Sequence, residues 1–451
     1  MGLPGPDLDA LESGCLCWLD MRAALKLLIG SACVLVPLVV RPPVLHADDT
    51  LVLMREPTAY TDVIDAADGD DRFDINVVLG YQREVDRGTV QRETTSPNGV
   101  RQRSDLARSE RVVSQLELGA DIGLYKDLMA FVRVPLILRD TRSLSLAPGV
   151  SQAEASELLL DPLGATDTST SLSVPLTSPD RAGFDYVAFG GAVAVTNQQR
   201  KPWLPTWVFL VEGRRAISRV LRPCHVSPDG ENICRSSSAD DALPSPTSND
   251  GSSGVSRGVS ALALETRVSK RLRYAEPYAG LGVLVEWAST AESAFDLGGG
   301  FKHTAPPRQL SVTLGAELIP WESRGRHQRV SVDARLAGTY LSSGLDYSAL
   351  YDGLGSAEEQ GPRAGLTSVG ARMKAGGRLG VQVRAARYVR FALGAGIWNV
   401  SAHTLTGAEP CADASAASCP RYRPSIDAPG RRFWMTGELL WEVYASVTAQ
   451  F

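Results

Sequence analysis

Charged side chains recur in this sequence in a setting that usually excludes them. Arg111, Glu117, Asp121, Arg133, Glu265, Arg267, Glu317, Asp333, Arg335, Arg384, Glu438 and Glu442 each fall in a stretch where every second residue is apolar. Period-two alternation sends successive side chains to opposite faces of a strand, so these residues gather on one polar face. Both signs are present. Once enclosed, such a face supports two chemistries. One is a water-containing network of ion pairs that fills the interior, because unpaired buried charge is costly. The other is a pore lining whose charges set which solutes pass.

Other residue types offer less. Beyond residue 47 the histidines are His225, His303, His327 and His403, three in or beside long polar connections and one in a short turn. No serine and carboxylate stand beside them in a pattern that would build a hydrolytic triad, so the sequence predicts no enzyme. Asp62, Asp65, Asp68, Asp70 and Asp71 miss the alternate spacing, glycine and distant glutamate of a calcium loop. They read as a solvated lead-in to the first strand. Cys224 with Cys234, and Cys411 with Cys419, form two close couples in turn-rich loops. With an export signal upstream, two local disulfide staples are the favoured pairing. Zinc would need a CxxC or Cys/His spacing that is lacking here, and no metal or cofactor is expected.

The elements that carry the charges are long strands. In the last segment Phe433, Met435, Gly437, Leu439, Trp441, Val443, Ala445, Val447, Ala449 and Phe451 share one face, and Thr436, Glu438, Glu442, Tyr444 and Thr448 share the other. The third segment sets Ala130, Val132, Val134, Leu136 and Leu138 against Arg133 and Arg139. Strands are predicted at 72–85, 109–124, 128–140, 184–197, 203–216, 256–271, 277–289, 308–321, 329–342, 366–384, 390–402 and 432–451. Long connections (86–108, 141–183, 217–255, 290–307, 343–365, 403–431) alternate with short ones. This gathers all long links at one end of an up-and-down sheet, the asymmetry of an outer-membrane barrel. Tyr125, Trp203, Tyr274, Tyr278, Trp321 and Tyr388 flank short turns, while Trp287, Tyr340, Trp398 and Phe433 lie toward the long-loop end. Two such aromatic belts suit membrane boundaries.

Composition agrees once the pattern is known. The 451 residues are 44% hydrophobic and 22% charged, with a net charge of -5, and no basic stripe marks a nucleic-acid partner. Leu27 to Val40 is the longest apolar stretch, too short to span a bilayer as a helix. Behind Arg22 and Lys26, it has the layout of a secretory signal peptide ending at Ala47. The predicted organisation is an upstream extension at 1–20, a signal peptide at 21–47, a periplasmic segment at 48–71 and a transmembrane barrel at 72–451.

The ending Trp441-Glu442-Val443-Tyr444-Ala445-Ser446-Val447-Thr448-Ala449-Gln450-Phe451 resembles the C-terminal strand of Gram-negative outer-membrane β-barrel proteins. The resemblance implies an all-β, up-and-down antiparallel barrel of about 12 strands in the cell outer membrane. Outer-membrane lipid and lipopolysaccharide would surround it, and Phe451 would be read transiently by the barrel-assembly machinery. The leading functional expectation is a narrow passive channel for small solutes. The alternatives are a surface-binding or envelope-structural barrel acting through its stapled loops, and an outer-membrane hydrolase. Fold alone does not choose among them.

Overall fold

The computed structural model describes residues 57–64, 74–159, 172–234, 253–289, 295, 305–356, 365–409 and 422–451, apart from single positions at 97 and 387. The signal-peptide and upstream regions, His303, most of the aspartate run, Cys411 and Cys419 lie outside them.

The barrel strands are β1 (Ile75–Thr95), β2 (Arg101–Tyr125), β3 (Leu128–Leu146), β4 (Tyr186–Thr196), β5 (Thr206–Ala216) and β6 (Val259–Ser269), then β7 (Ala275–Ala288), β8 (Gln309–Ser323), β9 (Gln328–Leu341), β10 (Arg372–Ala386), β11 (Val389–Val400) and β12 (Phe433–Gln450). Spatial order follows chain order and every neighbour is antiparallel. β1 also pairs with β12, from Asn76 opposite Gln450 to Arg92 opposite Phe433, so the sheet closes. The fold is all-β, a closed 12-strand antiparallel barrel. Closure leaves no unpaired edge in the wall.

Alternation turns the usual distribution of residues inside out. Leu336 and Leu393 on the outer face are 67% and 65% exposed, whereas Glu317 and Asp333 inside are 3% and 4% exposed. A water-soluble chain buries the first kind and exposes the second. Trp203, Tyr274, Trp321 and Tyr388 stand exposed around the short turns, but Tyr278 and Phe433 point inward and are buried, so they leave the predicted belts.

One predicted boundary and one predicted facing change for clear physical reasons. The connection expected at 86–108 is largely strand: β1 and β2 pair from Gly88 opposite Ser109 up to Thr95 opposite Arg101. Polar pairs such as Arg87–Glu110 and Gln91–Asp105 on one face hide the alternation. On the other face, Val90 and Leu106 pack with Leu144, Leu350, Leu354 and Phe433 in an apolar core built by the long loops. Near the top of β3 the ladder slips, with Ile137 opposite Gln115 and Arg139 opposite Ser114. The extra residue, Leu138, reverses the facing of everything after it.

Candidate functional site

On the inner surface, charges meet in pairs that the ladder dictates. Glu276, Glu317 and Asp333 stand directly opposite one another across β7, β8 and β9. Like charges in that arrangement repel, so each needs its own partner. Arg329 reaches Glu317 at 2.7 Å, Arg335 reaches Asp333 at 3.3 Å, and Gln198 donates to Glu276 at 2.8 Å. Arg378 takes Glu442 with two hydrogen bonds of 2.5 and 2.9 Å, and Arg267 takes Glu265 at 2.6 Å. Arg133 pairs with Asp121 and lies 3.8 Å from Glu117.

The short-turn end holds part of the N-terminal chain. Residues 57–64 cross the lumen there instead of standing free as a solvated lead-in. On one wall the Tyr60 hydroxyl donates to Glu265 at 2.7 Å, and Thr61 bonds Ser269 at 2.7 Å. On the adjoining wall Val63 packs with Phe131, Ala192, Ala194, Val208 and Leu210, the last two directly opposite Arg267 and Glu265 in the ladder. Asp62 lies 3.4 Å from Arg390 at the start of β11. Glycine makes the crossing possible: a methyl group at Gly280 would overlap the Tyr60 hydroxyl, and one at Gly315 would overlap the Tyr278 ring.

The long-loop end is covered by the connection between β9 and β10. A two-strand ribbon, Gly344–Asp346 with Thr367–Val369, leads into the short helix Tyr351–Ser356. Asp346 accepts from Arg257 at 2.9 Å and Arg372 at 3.0 Å, and Arg257 also forks onto Glu286 with two bonds of 2.9 Å. Burial pushes the Asp346 carboxyl up, but Arg257 and Arg372 outweigh it and hold the group below its ordinary range. Asp352 takes Arg181 at 2.5 Å and Ser178 at 2.6 Å, and accepts the Cys224 backbone N–H at 3.1 Å. Burial pushes His403 down to about 4, keeping the imidazole neutral beside Ser401, whose carbonyl lies 3.0 Å from Nδ1. Below this cover is a cavity of about 330 Å³ lined by Asp86, Arg111, Arg142, Arg257, Arg372 and Glu438 among others.

Most sequence-selected charges lie on this inner surface, with differences. Arg111 is there, forking onto Asp140 with two bonds of 3.0 Å. Glu438 lies 3.9 Å from His403, and Arg384 stands in register between Arg329 and Arg390. Arg139 turns outward to Asp180 at 3.0 Å, because the slip at Leu138 carries Asp140 and Arg142 inward in its place. Cys224 and Cys234 form a disulfide that staples a small hairpin, Cys224–Val226 with Asn232–Cys234. Phe451 directly follows β12, its backbone N–H bonded to the Ile75 carbonyl at 2.9 Å and its side chain exposed. Asp346 and Tyr60 escaped sequence reasoning because they lie in connections, where alternation gives no signal; Arg257 sits at the edge of the strand predicted at 256–271, with the parity of Glu265 and Arg267. Arg329 shares the parity of Asp333 and Arg335 and was legible at the edge of its strand.

No family model and no curated protein matches the sequence. Among solved structures it is similar to the COG4313 outer membrane channel from Pseudomonas putida F1, at 11% identity and TM-score 0.35 over 88% of this chain and 99% of that one. It is also similar to a Pseudomonas aeruginosa FadL homologue, at 8% and 0.36 over 87% and 92%. The outer membrane protease OmpT from Escherichia coli gives 6% and 0.27 over 84% and 97%. At these TM-scores the functional reading rests on this chain's own strands and side chains.

Proposed function

We propose that this chain is an exported, integral outer-membrane barrel that works as a narrow channel for small solutes, held shut in this conformation. The apolar outer wall suits lipid, with lipopolysaccharide around the long-loop half, and Phe451 suits recognition by the assembly machinery. The observation that carries the channel reading is the placement of the cavity of about 330 Å³, between a loop cover and a charged lumen. Both closures are held by side-chain contacts, Asp346 to Arg257 and Arg372 above and Tyr60 to Glu265 below. Contacts of this kind break and re-form without disturbing the wall. The mixed lining would favour small polar or mixed-charge solutes over large or strongly charged ones.

The stapled hairpin at 224–234 supports the surface-binding alternative less well than a free loop would, since Cys224 is bonded to Asp352 inside the cover. Solute uptake by liposomes carrying the purified barrel tests the proposal. Uptake of small polar solutes that rises when Tyr60 is replaced by Ala supports it. Liposomes that stay impermeable with both proteins contradict it.

A further inference from the structure

Tyr60 is held as a ligand is held. Its hydroxyl donates to Glu265 Oε1 at 2.7 Å, and its ring centroid lies 4.8 Å from that of Tyr278, with the planes tilted by 36°. The guanidinium carbons of Arg267 and Arg335 stand 4.7 and 5.0 Å from the same ring centre, within the range where a cation is drawn to an aromatic face. Gly280 leaves the space that the hydroxyl occupies. The wall residues belong to β6, β7 and β9, whose ladder pairings do not involve residues 57–64. The pocket is therefore a feature of the barrel, and Tyr60 is its occupant.

We propose that this wall site binds the hydroxylated aromatic ring of a solute, and that Tyr60 is its built-in competitor. The inference rests on the channel reading, because a solute reaches this wall only through the lumen. The chemistry selects a phenol over its near relatives. An aromatic ring with no donor leaves the Glu265 carboxylate without that bond, and a hydrogen bond to a charged group is worth more than a neutral one. An aromatic carboxylate would face Glu265 directly. It would find Arg267 committed to Glu265 and, at 3.0 Å, to the Tyr60 backbone carbonyl, which the Tyr60→Ala chain retains, and Arg335 committed to Asp333 and the Tyr278 hydroxyl.

The test uses the full chain in detergent micelles, titrated calorimetrically with 4-methylphenol and with 4-methylanisole, which has the same ring and no donor. The Tyr60→Ala protein should bind 4-methylphenol about tenfold more tightly than wild type, and about tenfold more tightly than it binds 4-methylanisole. Adding Glu265→Gln should reduce that second preference severalfold. Equal binding of the two compounds, or equal affinity of wild type and Tyr60→Ala, overturns the proposal. Should Tyr60→Ala fail to fold, Tyr60→Phe keeps the ring and loses only the bond to Glu265; it should yield the site to 4-methylphenol more readily than wild type, and unchanged affinity overturns the proposal. Bilayer recordings on the same preparations separate the two readings. Conductance without phenol binding rejects this site and leaves the channel, whereas binding without conductance rejects passage.

Discussion

Asp346 joins Arg257 and Arg372 at 2.9 and 3.0 Å, and so ties the β9–β10 connection to the tops of two strands on different parts of the wall. The carboxylate is buried, and both guanidinium groups lose their shared anion if it is neutralised. Asp346→Asn should release the cover at a cost of about 3 kcal/mol in local stability, the range for breaking a buried pair from one side. Limited proteolysis should then cut within 343–369 well before the wall unfolds. A cleavage rate equal to wild type would show that the clasp does not hold the loop.

The Glu317–Arg329 pair separates electrostatic need from electrostatic gain. Both side chains are nearly inaccessible, at 4% and 8% exposure. Either single change, Glu317→Leu or Arg329→Met, leaves one buried charge alone and should destabilise the barrel by about 3 kcal/mol. The double change removes both charges and should recover most of the loss. Urea unfolding in detergent reads the cycle, and strict additivity of the two losses would refute pairing.

His403 gives the cover a pH response with a fixed sign. Burial lowers its pKa from 6.5 to about 4, opposed by the contact with Ser401, while Arg372, Asp346 and Glu438 stand around it. A group whose folded pKa is depressed contributes fully above its unfolded value and loses that contribution as pH falls through the folded one. Stability of the loop end should therefore decline from pH 6.5 to about 4, by about 3 kcal/mol at the acid limit. Thermal unfolding across that window should show the decline, and His403→Gln should flatten it. An identical slope in both proteins would place the response elsewhere.

Reducing the Cys224–Cys234 bridge should act locally. The staple closes a hairpin at a sequence separation of 10, outside the barrel ladder. Its loss should cost about 2–3 kcal/mol in that hairpin alone. Hydrogen exchange should speed up at 224–234 and stay unchanged in β5 and β6. Equal acceleration in those strands would mean that the loop supports the wall.

Much of this architecture is legible in the sequence because a barrel wall obeys one rule for its whole length. Leu310, Val312 and Leu314 against Ser311 and Thr313 announce a strand and its facing at once. The rule fails where the wall stops being the only constraint. Above the apolar band, Thr89 to Thr95 meets water on one side and a loop core on the other, and reads as a connection. At Leu138 one extra residue turns Arg139 out and Asp140 in, and nothing in composition marks the slip. Tyr60 meets Glu265 across 205 residues and Asp346 meets Arg257 across 89, where no local period reports them.

Single-channel recording of the doubly changed protein, Tyr60→Ala with Asp346→Asn, in planar bilayers tests the closed-channel account most directly. Each change removes hydrogen bonds to a charged group, which should shift the open population by about tenfold or more. Discrete conductance steps, frequent in the double variant and rare in wild type, are the predicted result. Silence from a folded double variant, or equal activity in both proteins, would contradict the claim that these two contacts hold the lumen shut.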